Sequence, residues 1–169
     1  YAGQAAFAGH GKIQITDAKG DKSLITADKV IIATGSVPAR IPGWPTDPAL
    51  VCTSDESLHW KELPKKLLIV GGGVIGCEFA CMMHEYGVEV TIVELKETLL
   101  PEMERQIGVA MAEIFSKRGM KIHTGVKVEE LKTIDGGIKA MLSGDKMVEA
   151  DKVLAGPGRR PATPELGLE

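Results

Sequence analysis

The stretch Leu67 to Glu94, LLIVGGGVIGCEFACMMHEYGVEVTIVE, constrains the fold more than any other. An apolar run meets glycines at Gly71, Gly72, Gly73 and Gly76, a proline-free segment follows, Gly87 stops it, and a second β-branched run ends on an acid. That succession predicts strand, tight turn, helix and parallel strand. Each glycine has a physical task in such a unit. Gly71 turns the chain sharply off the strand, Gly73 lets backbone N–H groups approach an anion, and Gly76 lets the helix pack close to the sheet. Phosphates are favoured at the helix N-terminus by unpaired N–H groups and the dipole. Glu94 is placed to accept hydrogen bonds from a ribose 2′-hydroxyl. A bare glycine trio also occurs in ordinary turns; strand before, helix after and acid at this distance together point to a dinucleotide.

Elsewhere the chain reads as β-rich. Lys12–Thr16 and Ser23–Ala27 alternate as the arms of a hairpin, and Val30, Ile31, Ile32 and Ala33 have the character of a short strand buried on both faces of a parallel sheet. Pro38, Pro42, Pro45 and Pro48 mark a linker, and Thr53 with Glu56 forms a capping box for a helix to about Trp60. After Glu94, Pro101 is suited to a first helical position, with Met103, Ile107, Met111, Ile114 and Phe115 as the buried stripe and Gly119 as the stop. A strand at 121–123 then leads to a meander turning at Asp135-Gly136-Gly137 and Ser143-Gly144-Asp145, and Val153–Ala155 ends at Gly156-Pro157-Gly158. The expected fold is α/β: a three-layer Rossmann-like domain, a parallel sheet with flanking helices, covered on one side by an antiparallel β-meander.

An internal repeat bears on domain organisation. Gly20-Asp21-Lys22 leads through Ala27-Asp28-Lys29-Val30 to Gly35 and Pro38, and Gly144-Asp145-Lys146 leads through Ala150-Asp151-Lys152-Val153 to Gly158 and Pro161. The second copy closes a domain that opens with a glycine-rich βαβ unit; the first has no such unit ahead of it. Residues 1–40 therefore read as the tail of another dinucleotide-binding domain whose own βαβ unit would precede Tyr1, 41–161 as a complete domain, and 162–169 as the return to the first.

Ala33-Thr34-Gly35-Ser36, Pro42-Gly43, GGGVIGCE at 71–78, VTIVE at 90–94, LLP at 99–101 and GRRP at 158–161, in that order, resemble the middle of a flavin-dependent pyridine nucleotide disulfide oxidoreductase. Within that family the string is most similar to the lipoamide-oxidising flavoproteins of 2-oxo-acid dehydrogenase complexes; NADH oxidases and mercuric or other disulfide reductases share the motifs, and a non-catalytic nucleotide-binding module is the alternative from another class. The resemblance implies that Gly71, Gly72, Gly73, Val74, Ile75 and Gly76 hold the NAD pyrophosphate. It puts Glu78 and Glu94 on the ribose side, Val126 near the adenine and Gly158 toward the nicotinamide. Thr34, Gly35 and Ser36 would touch FAD in an intact parent, which the family implies is a homodimer with FAD and interface domains. The family's N-terminal FAD motif, Cys-x4-Cys redox pair and C-terminal His-Glu pair have no counterpart in these residues, so the chain alone is expected to be inactive on lipoamide. Two positions depart from the family pattern: Glu104 replaces the usual Asp after LLP, and Pro157 lacks a backbone N–H beside the nicotinamide position.

Other candidates weigh less. Glu94 favours NAD over NADP, because a carboxylate repels a 2′-phosphate and no Arg follows; Lys96 reads as a solvated lysine. Cys77, Cys81 and His84 share one helical face, but no fourth metal ligand stands at useful spacing, so they read as packing, with no metal. Cys52 is an ordinary thiol. His10, His59 and His123 have no acid or nucleophile near in sequence, and Arg159 and Arg160 read as structural. A net charge of −3 gives no broad positive field for nucleic acid, and no stretch reaches the ~18 apolar residues of a membrane span. No signal peptide is visible, so a cytoplasmic protein is expected. The purified chain is expected to be colourless; one equivalent of flavin absorbance would show that residues 1–40 retain more of a flavin site than this reading allows.

Overall fold

The computed structural model describes residues 1–168, which fall into two compact units, 1–37 with 160–168 and 38–159. In the first, β1 (Gln4–Phe7), β2 (Lys12–Thr16) and β3 (Lys22–Thr26) form an antiparallel sheet in that order. The hairpin falls where alternation predicts it, with Ile13 opposite Ile25 and Ile15 opposite Ser23. β1, among small residues without clear pattern, pairs Ala5 with Ile15. Its position is fixed by the close approach of Gly3, where an added Cβ would lie 2.4 Å from the Thr16 carbonyl oxygen.

The run at 30–33 departs from expectation. It forms no strand; β4 (Ser36–Pro38) begins only beyond Gly35, and Ile31 is 91% exposed. An apolar run becomes a buried parallel strand only with a strand on each side, and among the described residues none pairs with it. The second repeat copy supplies the contrast: β12 (Lys152–Ala155) lies between β5 (Val51–Cys52) and β6 (Lys66–Val70), pairing parallel with both.

The second unit holds a five-stranded parallel sheet in the order β5-β12-β6-β7-β8, with β7 at Glu89–Val93 and β8 at Lys121–His123. Strand alternation separates two cores. Leu67, Ile69, Val90, Ile92 and Leu154 face the helices α2 (Val74–Glu85) and α3 (Arg105–Lys117), packing with Phe79, Met83 and Phe115. Leu68, Val93, Val153 and Ala155 face the meander of β9 (Val128–Ile134), β10 (Gly137–Leu142) and β11 (Lys146–Ala150), meeting Leu131, Ile138 and Leu142. This is the three-layer arrangement, and the meander turns where its glycines predict. β13 (Arg159–Pro161) pairs with β4 in a short ribbon.

The capping box is present: the Glu56 N–H donates to Thr53 Oγ1 and the Thr53 N–H to Glu56 Oε2 at 2.8 Å. The helix it starts, α1 (Ser54–Ser57), is shorter than predicted, and Trp60 packs beyond it against the helix-side core. α3 is also corrected. It starts at Arg105, not Pro101, because Leu100 takes a left-handed conformation (φ 49°) and donates its N–H to the Gly72 carbonyl at 2.7 Å, so 98–103 is spent on a turn. Its core face runs through Gly108, Ala112 and Phe115, whereas Met103, Ile107 and Ile114 are 44–51% exposed. Gly108 sets that roll: a Cβ there would lie 2.0 Å from the Leu99 carbonyl oxygen, so only glycine brings the helix this close.

His123 at the end of β8 is held below its usual 6.5 by burial, then by the cations of Lys146 and Lys121. Its neutral form is the one the fold prefers, so the stability it contributes is present above pH 6.5 and is lost as pH falls from there toward the depressed folded value. Urea midpoints are expected to fall across that window, and less steeply in His123→Gln; an unchanged slope in the variant would remove His123 as the cause.

Candidate functional site

The site lies at the C-terminal ends of β6, β7 and β12, where loops diverge and leave a cleft of about 460 Å³. Gly71 leaves β6 at φ +110°, a conformation that favours glycine, and a Cβ on it would lie 2.1 Å from the Gly156 carbonyl oxygen. Gly76, in the first turn of α2, is as tightly placed: its Cβ would be 1.9 Å from the Gly71 carbonyl oxygen. Between them Gly73 is the N-cap of α2, with no side-chain cap and open space where a Cβ would stand. The Cys77 N–H donates to the Gly73 carbonyl across this turn, and helix geometry leaves the N–H groups at 74–76 without intrahelical acceptors. Those donors and the dipole make this end of α2 suited to an anion.

Glu94, just past β7, is 7% exposed yet reaches the cleft wall. Its Oε2 accepts the Gly72 N–H at 2.6 Å and its Oε1 the Lys96 N–H at 2.7 Å. A carboxylate carries about four acceptor sites, so both oxygens retain capacity for hydroxyl donors.

Of the sequence candidates, Gly71, Gly73, Glu94, Val126 and Gly158 line this one cleft. Gly72 is buried behind it, Gly76 is locked under the turn and Ile75 packs on the core, while Val74 and Glu78 are exposed and do not line it. Thr34 lies in the other unit, beside a hollow of about 170 Å³ with Phe7, Ile13 and Leu166, and Gly35 (φ +78°) accepts the Ala162 N–H through its carbonyl. Ile41 and Trp44, which are not among the sequence candidates, form part of the wall. They sit among the linker prolines; an isolated Trp beside Pro42-Gly43 was the available signal. Lys96, Glu102 and Lys127 also line the cleft.

The thiols are quiet. Burial, then the carboxylates of Glu94 and Glu78, push the Cys77 thiol up to about 11, and burial followed by the charge of Glu56 pushes Cys52 up to about 12. Neither is a thiolate at neutral pH. Cys81 is free and half-buried. Arg159 is held to Asp55 at 3.0 Å, in keeping with a structural part.

A parallel sheet between helices and a meander, with a glycine turn crossing its strand ends, defines a Rossmann-like α/β protein. The chain belongs to the pyridine nucleotide-disulphide oxidoreductase family, whose model matches residues 2–169. It is 39% identical over 165 residues to a dihydrolipoyl dehydrogenase of Bacillus subtilis (94% of this chain, 35% of the relative). It is 36% identical over 172 residues to that of Chlorobaculum tepidum (99% and 37%). Among solved structures it resembles LpdA from Mycobacterium tuberculosis, with TM-score 0.85, 28% identity and coverage of 98% of this chain and 37% of that one. It also resembles the HOCl-induced flavoprotein disulfide reductase RclA from Escherichia coli, with TM-score 0.79, 32% identity and coverage of 97% and 37%. The chain thus spans little more than a third of the length of these relatives.

The two glycines lead to opposite expectations. Gly76→Ala is expected to lower stability by about 1–3 kcal/mol through the backbone clash, read as a shifted urea midpoint. Gly73→Ala, with nothing in its way, is expected to leave the midpoint within about 0.5 kcal/mol of the parent, the range of an unobstructed surface change.

Proposed function

We propose that this chain is the NAD(H)-binding domain of a dihydrolipoamide dehydrogenase, with residues 1–40 and 162–169 belonging to the adjoining FAD-binding domain. The observation that carries the reading is the glycine turn, open at Gly73 and crowded at Gly71 and Gly76, facing one cleft with Glu94. Open space at Gly73 together with free N–H groups at the start of α2 fits a pyrophosphate. The remaining acceptor sites of Glu94 fit ribose hydroxyls, and its charge disfavours a 2′-phosphate, so NAD is preferred to NADP. Val126 would lie against the adenine and Gly158 toward the nicotinamide, with Trp44 completing the wall.

In the parent the task of this domain is positional. The nicotinamide and the flavin would carry the electron exchange of lipoamide oxidation; these residues bind and orient. Thr34, Gly35 and Ser36 are the proposed FAD contacts, and the parent is proposed to be a homodimer serving a 2-oxo-acid dehydrogenase complex. Three free cysteines suit the reducing cytoplasm. Among the described residues no helix is long and apolar enough to cross a membrane. The likeness to RclA supports a second reading, the same domain in another flavoprotein disulfide reductase.

Calorimetric titration with NADH and NADPH tests the proposal. NADH is expected to bind at least about tenfold more tightly than NADPH, a difference of about 1.4 kcal/mol. No heat with NADH at millimolar ligand would overturn the cofactor assignment, and equal affinities would overturn the role of Glu94 in selection.

A further inference from the structure

We propose that Glu94 is a positioning residue for the glycine turn, holding it in its ligand-ready shape before any dinucleotide is present. The inference builds on the cofactor reading above but concerns the ligand-free chain. Gly71, Gly72 and Gly73 are consecutive, and a run of glycines loses more conformational freedom on ordering than any other sequence of that length. Something must hold it. Packing holds Gly71 and Gly76, but Gly72 has no side chain to anchor and no room for one: a Cβ there would lie 2.4 Å from Leu99 Cδ2 and 3.1 Å from Glu94 Cβ.

Hydrogen bonds hold Gly72 on both sides. Its N–H donates to Glu94 Oε2 at 2.6 Å, and its carbonyl accepts the Leu100 N–H at 2.7 Å. Glu94 is itself fixed, because its N–H donates to the His123 carbonyl at 2.8 Å and its carbonyl accepts the Val126 N–H at 3.0 Å. The second carboxylate oxygen takes the Lys96 N–H, so one side chain joins the turn after β6 to the segment after β7. The carboxylate's remaining acceptor sites leave capacity for hydroxyl donors, which makes the brace and the proposed ribose contact compatible.

Hydrogen exchange of individual amides in the ligand-free chain tests the brace directly. The Gly72 amide is expected to be protected in the parent, and in Glu94→Gln its exchange is expected to speed by on the order of tenfold. An amide side chain offers one acceptor oxygen where the carboxylate offers two, and leaves one N–H facing another donor. A Gly72 amide that exchanges in the parent at the rate of an open loop would overturn the proposal, and this measurement needs no variant to fold. Unchanged Gly72 exchange in Glu94→Gln would overturn it equally, leaving Glu94 a ribose contact only. Failure of the parent to bind NADH would instead remove the cofactor reading and leave the amide exchange to decide the brace.

Discussion

The site depends on backbone approaching backbone more closely than any side chain allows. Gly71 lies against Gly156, Gly76 against Gly71, and Gly108 against Leu99, each with a carbonyl oxygen where a Cβ would be. These three contacts tie β6 to the end of β12, α2 to the turn, and α3 to the segment after β7. A sheet and two helices that each bury an apolar face could pack in many ways; approaches this close are open only to glycine, and they fix where each element sits. The cleft is what remains where the tied segments part at the strand ends.

The glycine turn, the strands of the second unit and the meander were legible because each rests on local chemistry: period-2 alternation, Gly at turns, an acid closing a strand. Misread elements were those whose state is set by a distant partner. Residues 98–103 have a helix-start sequence, with Pro101 and two acids, yet the Leu100 N–H is taken by Gly72, nearly thirty residues away, and the helix begins later. The stripe chosen for α3 followed the larger side chains. The roll follows Gly108 instead, the smallest residue on the helix, whose importance appears only when Leu99 is placed beside it. Trp44 escaped for a similar reason: a proline-rich connection looks like spacer until its path along the cleft is known.

The two repeat copies make the same point within one chain. β9-β10-β11 and β1-β2-β3 have the same sheet order, so the antiparallel part is specified by its own turns in both copies. The strand that follows is specified only where β5 and β6 flank it. Hairpins carry their partner within a few residues, whereas parallel strands depend on chain brought from elsewhere.

The unsheltered stretch from Val30 to Thr34 has a colloidal consequence. It is short, rich in β-branched residues and uncharged, free of proline, and Ile31 within it is almost fully solvated. Those are the attributes of a segment that zips against identical copies of itself. Such exposure favours self-association of the stretch, and a charged gatekeeper at Ile31 is the substitution that would counter it.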